Sequence, residues 1–198
     1  IKETGLTEDT IVIFSSDNGT THLKLEVDYD FFDSVGKLRG LKGSLYEGGI
    51  RVPLIVKWPG KIKAGSVSDQ LTGFEDWIVT IHHLIGAESP LTAQHDGYNL
   101  TPTLFGNFNR SRPFLYREFS GYGGQQAVWL GKWKGIRQKM LRKGQNHDPL
   151  KIELYDLIKD ESETKDLSFV HPEIVLKIKD IMKKQHTKSL EFPISVID

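Results

Sequence analysis

The run Thr10-Ile11-Val12-Ile13-Phe14 constrains the fold more than any other feature of the chain. It is continuously apolar and β-branched, and it breaks abruptly at Ser15-Ser16-Asp17-Asn18-Gly19. A strand with no polar face predicts a sheet covered on both sides, the mark of α/β layering. A second short run, Leu54-Ile55-Val56, ends in the turn Trp58-Pro59-Gly60,. Between Phe74 and Ile85 the apolar positions 74, 77, 78, 81, 84 and 85 form a helical stripe, and Gly86 stops it,. Residues 20–49 are polar and punctuated by glycines. That is long for a connection, and long irregular loops are usually functional,.

The pattern changes after residues 87–112, which are rich in Pro, Asn, Thr and Gly and predict a domain boundary. The expected division is 1–105, an α/β part, and 106–198, a smaller α+β part. Short strands follow at 114–119, 126–130, 133–138 and 152–157, joined by Gly, Lys and Asn clusters that read as hairpin turns,. A helix opened by His171-Pro172 closes the chain over 172–186, with Ile174, Val175, Ile178, Ile181 and Met182 on one face,. The second half is therefore expected to be an antiparallel sheet carrying one helix.

Composition narrows the function. Lys plus Arg and Asp plus Glu both number 26, so the net charge is zero, which argues against a nucleic-acid binder,. No apolar run approaches the roughly 18 residues of a membrane span. The absence of cysteine removes disulfides, cysteine-ligated zinc and thiol chemistry,. The chain starts at Ile1 with no signal-like segment, so further residues are expected to precede it,.

Candidate chemistry begins at Asp17 and Asn18, adjacent oxygen donors just beyond the end of a strand,. Hard cations favour such oxygens, although Asp-Asn-Gly is also a good turn sequence and two ligands do not complete a site for a cation that takes about six. Lys42 lies among glycines in Gly40-Leu41-Lys42-Gly43-Ser44-Leu45-Tyr46-Glu47-Gly48-Gly49-Ile50-Arg51-Val52-Pro53. There it can hold an anion as a point charge or stand as a solvated lysine, and the spacing is not that of a nucleotide P-loop. Glu47 and Arg51, four apart, can pair structurally. His22 can reach the same place as a substrate contact or acid, or remain an ordinary loop histidine. His82 and His83 fall in the 74–85 helix and read as surface or structural groups. His95, His147 and His171 carry no ligand spacing. Residues 125–151 hold seven basic residues, Lys132, Lys134, Arg137, Lys139, Arg142, Lys143 and Lys151, against Asp148 alone. They suit a solvated edge hairpin, or steering of a polyanion. Tyr116 to Gln126, with Arg117, Glu118 and Gln125, offers the aromatics, carboxylate and amides that sugar recognition uses,.

The strand 10–14 with Ser16-Asp17-Asn18-Gly19, and the segment 40–53, resemble the type I sulfatase (arylsulfatase) family. Glu153-Leu154-Tyr155-Asp156-Leu157 with Asp160, Glu163 and Leu167 resembles that family's C-terminal segment. Glu161 and Asp166 depart from it, standing where the family often has Pro and Asn. The resemblance implies an alkaline-phosphatase-like α/β/α sandwich followed by a small α+β subdomain. It implies Ca²⁺ held in part by Asp17 and Asn18, Lys42 on the sulfate and its departing ester oxygen, and supporting roles beside the site for Tyr46, Glu47 and Arg51. In that family a formylglycine, made from Cys or Ser in a Cys/Ser-x-Pro-x-Arg motif, attacks sulfur, the alcohol leaves, and sulfate is then eliminated.

No such motif occurs in these 198 residues. The resemblance therefore implies a C-terminal portion whose nucleophile lies upstream, inactive alone and a weak Ca²⁺ binder. Expected partners are a sulfated carbohydrate or aryl sulfate ester and the N-terminal part of the same protein. No nucleic acid and no membrane are expected, and the isolated piece, its strands left without neighbours, is expected to self-associate. A periplasmic or secreted location follows from the resemblance. Of the Asn-x-Ser/Thr triplets at Asn18, Asn99 and Asn109, the first conflicts with a ligand role, which is the reading favoured. Two alternatives stand: a phosphate or phosphonate ester hydrolase of the same superfamily, and a non-catalytic glycan-binding or assembly fragment.

Overall fold

The computed structural model describes residues 1–198 apart from 24, 26, 89, 92–94, 108–110 and 145–146. Asn109 therefore lies outside the described residues. The elements in chain order are β1 (Val12–Ser15), α1 (Glu47–Ile50), β2 (Leu54–Lys57), α2 (Asp76–Leu84), α3 (Thr101–Leu104), β3 (Leu115–Phe119), β4 (Gln125–Leu130), β5 (Trp133–Arg137), β6 (Glu153–Asp156) and α4 (Pro172–Gln185). Contacts divide the chain into two units, one of residues 1–15 and 53–115, the other of 16–52 and 116–198. This grouping differs from a single cut at 105/106, because 16–52 is bound to the C-terminal sheet. No helix among the described residues is long and apolar enough to cross a membrane.

In the first unit β1 and β2 pair with each other, antiparallel, with Val12 opposite Lys57 and Ser15 opposite Leu54. The expectation of strands without partners is thereby corrected. So is that of a strand covered on both faces: Phe14 and Ile55 are 62% and 61% exposed, since a two-stranded ribbon has no layer of its own to lay on them,. The side chain of Trp58 anchors the end of β2, its Nε1 donating to the Glu8 carbonyl at 2.7 Å. Helix α2 also reverses expectation. Its apolar stripe is exposed at Phe74, Ile78, Ile81 and Ile85, while Asp76 and Thr80 are fully buried. Asp76 accepts the N–H groups of Gly73 and Tyr98, both at 2.7 Å, and the Arg112 guanidinium at 3.0 Å. The Thr80 hydroxyl donates to the Asp76 carbonyl and accepts the Leu100 N–H. Polar groups that tie segments 73–80, 98–100 and 112 together have won over the apolar stripe for the inner face.

The second unit is built on one sheet with strand order β3-β4-β5-β6. Strands β4 and β5 form an antiparallel hairpin through Gly131-Lys132, and β6 pairs antiparallel with β5, Gly135 lying opposite Leu154. Because side chains alternate with period two, the sheet sorts its residues into two sets. Val128, Gly135 and Leu154 share one face, that of α4, whose Ile178 and Met182 are fully buried. Gly135 makes the approach possible, since a Cβ there would sit 2.6 Å from Ile178 Cγ2. Gln125, Ala127, Trp129, Lys134, Ile136, Glu153 and Tyr155 share the opposite face. The loop 39–51 lies on that face, as the bonds below establish. The basic run is accordingly not one solvated hairpin: Lys134 and Arg137 are buried, bonded to Glu47 and Gln126.

Candidate functional site

Two loops of the second unit are stitched backbone to backbone to form a cleft. The Gly19 N–H donates to the Gly49 carbonyl at 2.9 Å, and the Lys42 N–H to the Thr20 carbonyl at 2.8 Å. A Cβ on Gly19 would lie 2.0 Å from the Gly48 carbonyl oxygen, so only glycine permits this approach,. The glycines here let the backbone meet itself. The resulting cleft, about 280 Å³, is lined by the polar Asp17, Asn18 and Lys42 together with the apolar or aromatic Leu45, Ile50, Phe119 and Tyr122. Asp17 and Lys42 are exposed and Asn18 half-buried. The Asn18 Nδ2 donates to Asp17 Oδ1 at 2.9 Å, holding the two side chains as a pair. His22 is not part of the lining, but its ring meets that of Tyr122, which is, in a T-shaped contact at 5.8 Å and 85°.

The donor set can be tested against a hard cation. Asp17 and Asn18 supply carboxylate and amide oxygens, the right chemistry, but among the described residues no three His, Asp or Glu side chains form a metal-binding group. The pair thus fits part of a coordination shell that needs about six oxygens or more.

Lys42 is placed by what lies beneath its loop. The Gln125 amide bridges it from the sheet, donating through Nε2 to the Gly43 carbonyl at 2.8 Å and accepting the Leu45 N–H at 3.1 Å. The Tyr46 hydroxyl donates to Glu153 at 2.6 Å, with the Arg39 guanidinium over the Tyr46 ring at 3.8 Å. Arg39 also donates to the Glu163 carbonyl at 2.8 Å. Glu47 is the deepest anchor: its Oε1 accepts Trp129 Nε1 at 2.9 Å and Lys134 Nζ at 2.8 Å. Lys134 pairs equally with Glu163 at 2.8 Å, and Glu163 Oε2 accepts the Glu47 N–H at 2.7 Å. Burial pushes the Glu163 carboxyl above its ordinary value, against the pull of Lys134 and of that N–H. Two carboxylates thus share one fully buried ammonium. Arg51 stands at 3.7 Å from Glu47 and 3.6 Å from Glu161, on the exposed side.

Asp17, Asn18 and Lys42 therefore line one cleft, and His22 touches Tyr122 of that lining. Tyr46 and Glu47 tie the Lys42 loop to the sheet, and Arg51 pairs with Glu47 and Glu161. Arg117, Glu118 and Gln125 do not line it. Gln125 is buried and its amide is committed to the loop and to Gln138, which makes it a brace. Glu118 holds the Tyr116 hydroxyl, Gln126 Nε2 at 2.9 Å and His186 Nδ1 at 2.9 Å. Arg117 bonds the Tyr116 carbonyl at 3.0 Å. Phe119 and Tyr122, on the cleft itself, belong to the 116–126 stretch whose aromatics suggested sugar recognition, whereas the Lys134–Glu163 pair beneath the loop was not singled out by sequence reasoning. The readable signal for Lys134 was its place in an alternating strand, on the same face as Ile136.

Comparison with known proteins gives this architecture a class. The solved structures it superimposes on are sulfatases of the alkaline-phosphatase-like fold. One is a Bacteroides thetaiotaomicron protein of glycosaminoglycan metabolism, 26% identical, with a TM-score of 0.75 over 92% of this chain and 40% of that one. Residues 40–190 match the C-terminal domain of N-sulphoglucosamine sulphohydrolase, and the chain belongs to that sulfatase family as a C-terminal portion. It is 29% identical to an N-acetylgalactosamine-6-O-sulfatase of Bacteroides thetaiotaomicron over 92% of this chain and 37% of the relative. It is 36% identical to human arylsulfatase A over 68% of this chain and 26% of the relative. The chain thus spans well under half the length of these relatives.

Proposed function

We propose that these residues are the C-terminal part of a sulfuric ester hydrolase acting on a sulfated carbohydrate. The observation that carries this reading is the cleft that gathers Asp17, Asn18 and Lys42 on loops locked to the sheet. In the proposal Lys42 holds the sulfuryl oxygens and offsets charge on the departing ester oxygen. Among the described residues it has no ion-pair partner to compete for it. Asp17 and Asn18 would supply two of the oxygens that hold Ca²⁺, which when bound would offset sulfuryl charge as a Lewis acid. His22, against Tyr122, contacts the substrate or protonates the leaving alcohol,. A formylglycine nucleophile comes from sequence outside these residues, so the 198-residue piece alone is inactive. Residues 1–105 belong to the catalytic α/β domain and 106–198 to the subdomain, with 16–52 held by the latter. A periplasmic or secreted location accords with carbohydrate sulfatases among the relatives.

The rival is a phosphate or phosphonate ester hydrolase of the same superfamily. Release of inorganic sulfate from a 6-O-sulfated amino sugar by the full-length enzyme, compared with release of phosphate from the matching phosphate ester, separates the two. The proposal expects sulfate release to dominate by at least about a hundredfold in kcat/KM, a difference of about 2.7 kcal/mol in transition-state binding. Equal or preferred phosphate release contradicts it.

A further inference from the structure

The lining of the cleft is mixed, and the proposed chemistry uses only its polar members: beside Asp17, Asn18 and Lys42 it includes the aromatic rings of Phe119 and Tyr122. Tyr122 is an odd residue for its place. It sits at φ +53° in the turn Gly121-Tyr122-Gly123-Gly124, a left-handed conformation that a flanking glycine would adopt without cost,. It is 60% exposed, and among the described residues its hydroxyl makes no hydrogen bond. Burial therefore does not account for the ring, and neither does the turn. Residues held in such sparsely populated backbone conformations cluster at functional sites.

The ring is nevertheless held in one position. Gly43, at φ +88°, lies directly beneath it: a Cβ on Gly43 would sit 2.4 Å from Tyr122 Cε2 and Cζ. Phe119 leans against it at 6.0 Å and 36°, and His22 meets it edge-on. The aromatic surface is thus fixed beside the residue that follows Lys42, with most of its area open.

A sulfate ester combines the same two characters, an anionic head and an uncharged alcohol. We infer that Tyr122 is the platform for that alcohol, stacking on the pyranose ring of a sulfated sugar while Lys42 holds the head. A pyranose offers an apolar C–H face to the ring and hydroxyls to the Tyr122 hydroxyl and the His22 imidazole, the mixed contact that concave sugar sites use. This inference rests on the sulfate-ester reading above. It makes Tyr122 a determinant of leaving-group affinity and leaves the binding of sulfate itself to Lys42.

The test compares Tyr122→Ala, Tyr122→Phe and wild type in the full-length enzyme. The probes are a 6-O-sulfated N-acetylhexosamine as substrate and inorganic sulfate as product inhibitor. Tyr122→Ala is expected to lower kcat/KM for the sugar sulfate about tenfold, mainly through KM, while changing the inhibition constant of inorganic sulfate less than about twofold. Tyr122→Phe, which keeps the ring, is expected to retain most of the affinity. A parallel loss of sugar and inorganic-sulfate binding in Tyr122→Ala would show that the ring only props the Lys42 loop, and no loss of either would show that it contacts nothing; both overturn the inference. If wild-type enzyme releases no sulfate from any ester, the sulfatase reading itself fails, and this inference falls with it.

Discussion

Lys134 sits at the centre of a buried charge cluster in the second unit. It is a fully buried ammonium shared by Glu47 and Glu163 at 2.8 Å each, with the Trp129 ring 4.5 Å from its Nζ. Replacing it by Met leaves two buried carboxylates facing each other. Removing one member of a buried ion pair typically costs about 3–5 kcal/mol, and Lys134→Met is expected to fall in that range by urea denaturation. The double change Lys134→Met with Glu163→Gln should recover part of the loss, because one of the two uncompensated charges is gone. No recovery would mean that the cluster acts through packing alone. The cluster also explains a limit of sequence reading at this scale. Asp17, Asn18 and Lys42 are legible because a turn and a glycine-rich loop announce themselves locally. Lys134 and Glu163 are not, because their partners stand 87 and 116 residues away from them in the chain.

Among the elements, the turn after β6 shows how local sequence reaches the cleft. Asp160 accepts the N–H groups of Thr164 and Lys165 at 2.9 and 2.8 Å, and this turn presents Glu163 at φ +53°. Burial pushes the Asp160 carboxyl up, but these hydrogen bonds outweigh it and its pKa lies below the ordinary aspartate value. The unfolded chain therefore takes up this proton first as pH falls. The stabilisation is complete above the ordinary aspartate value and is lost as pH drops through the lowered one. Asp160→Asn is expected to flatten that part of the stability-against-pH curve, and an unchanged acid limb would contradict the assignment. Helix α4 depends on Gly135 in a comparable way. Gly135→Ala places a Cβ 2.6 Å from Ile178, and overpacking of this kind is expected to cost about 1–3 kcal/mol by thermal or chemical unfolding,. The strands and this helix were legible from period and turn chemistry to within about two residues. The inward face of α2 was not, because Asp76 and Thr80 are buried by bonds to Gly73, Tyr98, Leu100 and Arg112, and those bonds have no periodic signature.

At the scale of the whole molecule, the chain is a sulfatase C-terminal portion with its most apolar strands uncovered. Val12, Ile13, Phe14, Leu54 and Ile55 are all exposed on one short ribbon, and Ile78 and Ile81 of α2 are exposed as well. An open apolar ribbon of this kind favours association. Sedimentation of the isolated 198 residues is expected to show concentration-dependent oligomers, and a monodisperse monomer would contradict that expectation. The α/β character and the antiparallel C-terminal sheet were readable from the chain alone. The coverage of β1 was misjudged because a continuous apolar run states what a strand needs, and these residues supply no layer that meets the need. The most direct test of the account is sulfate release from a carbohydrate sulfate ester by the full-length enzyme, wild type against Lys42→Ala, each checked for unchanged thermal unfolding. The account predicts that Lys42→Ala lowers kcat/KM by about 10²–10³, the usual loss when a charge-stabilising group is removed. Sulfate release by Lys42→Ala at the wild-type rate would contradict it.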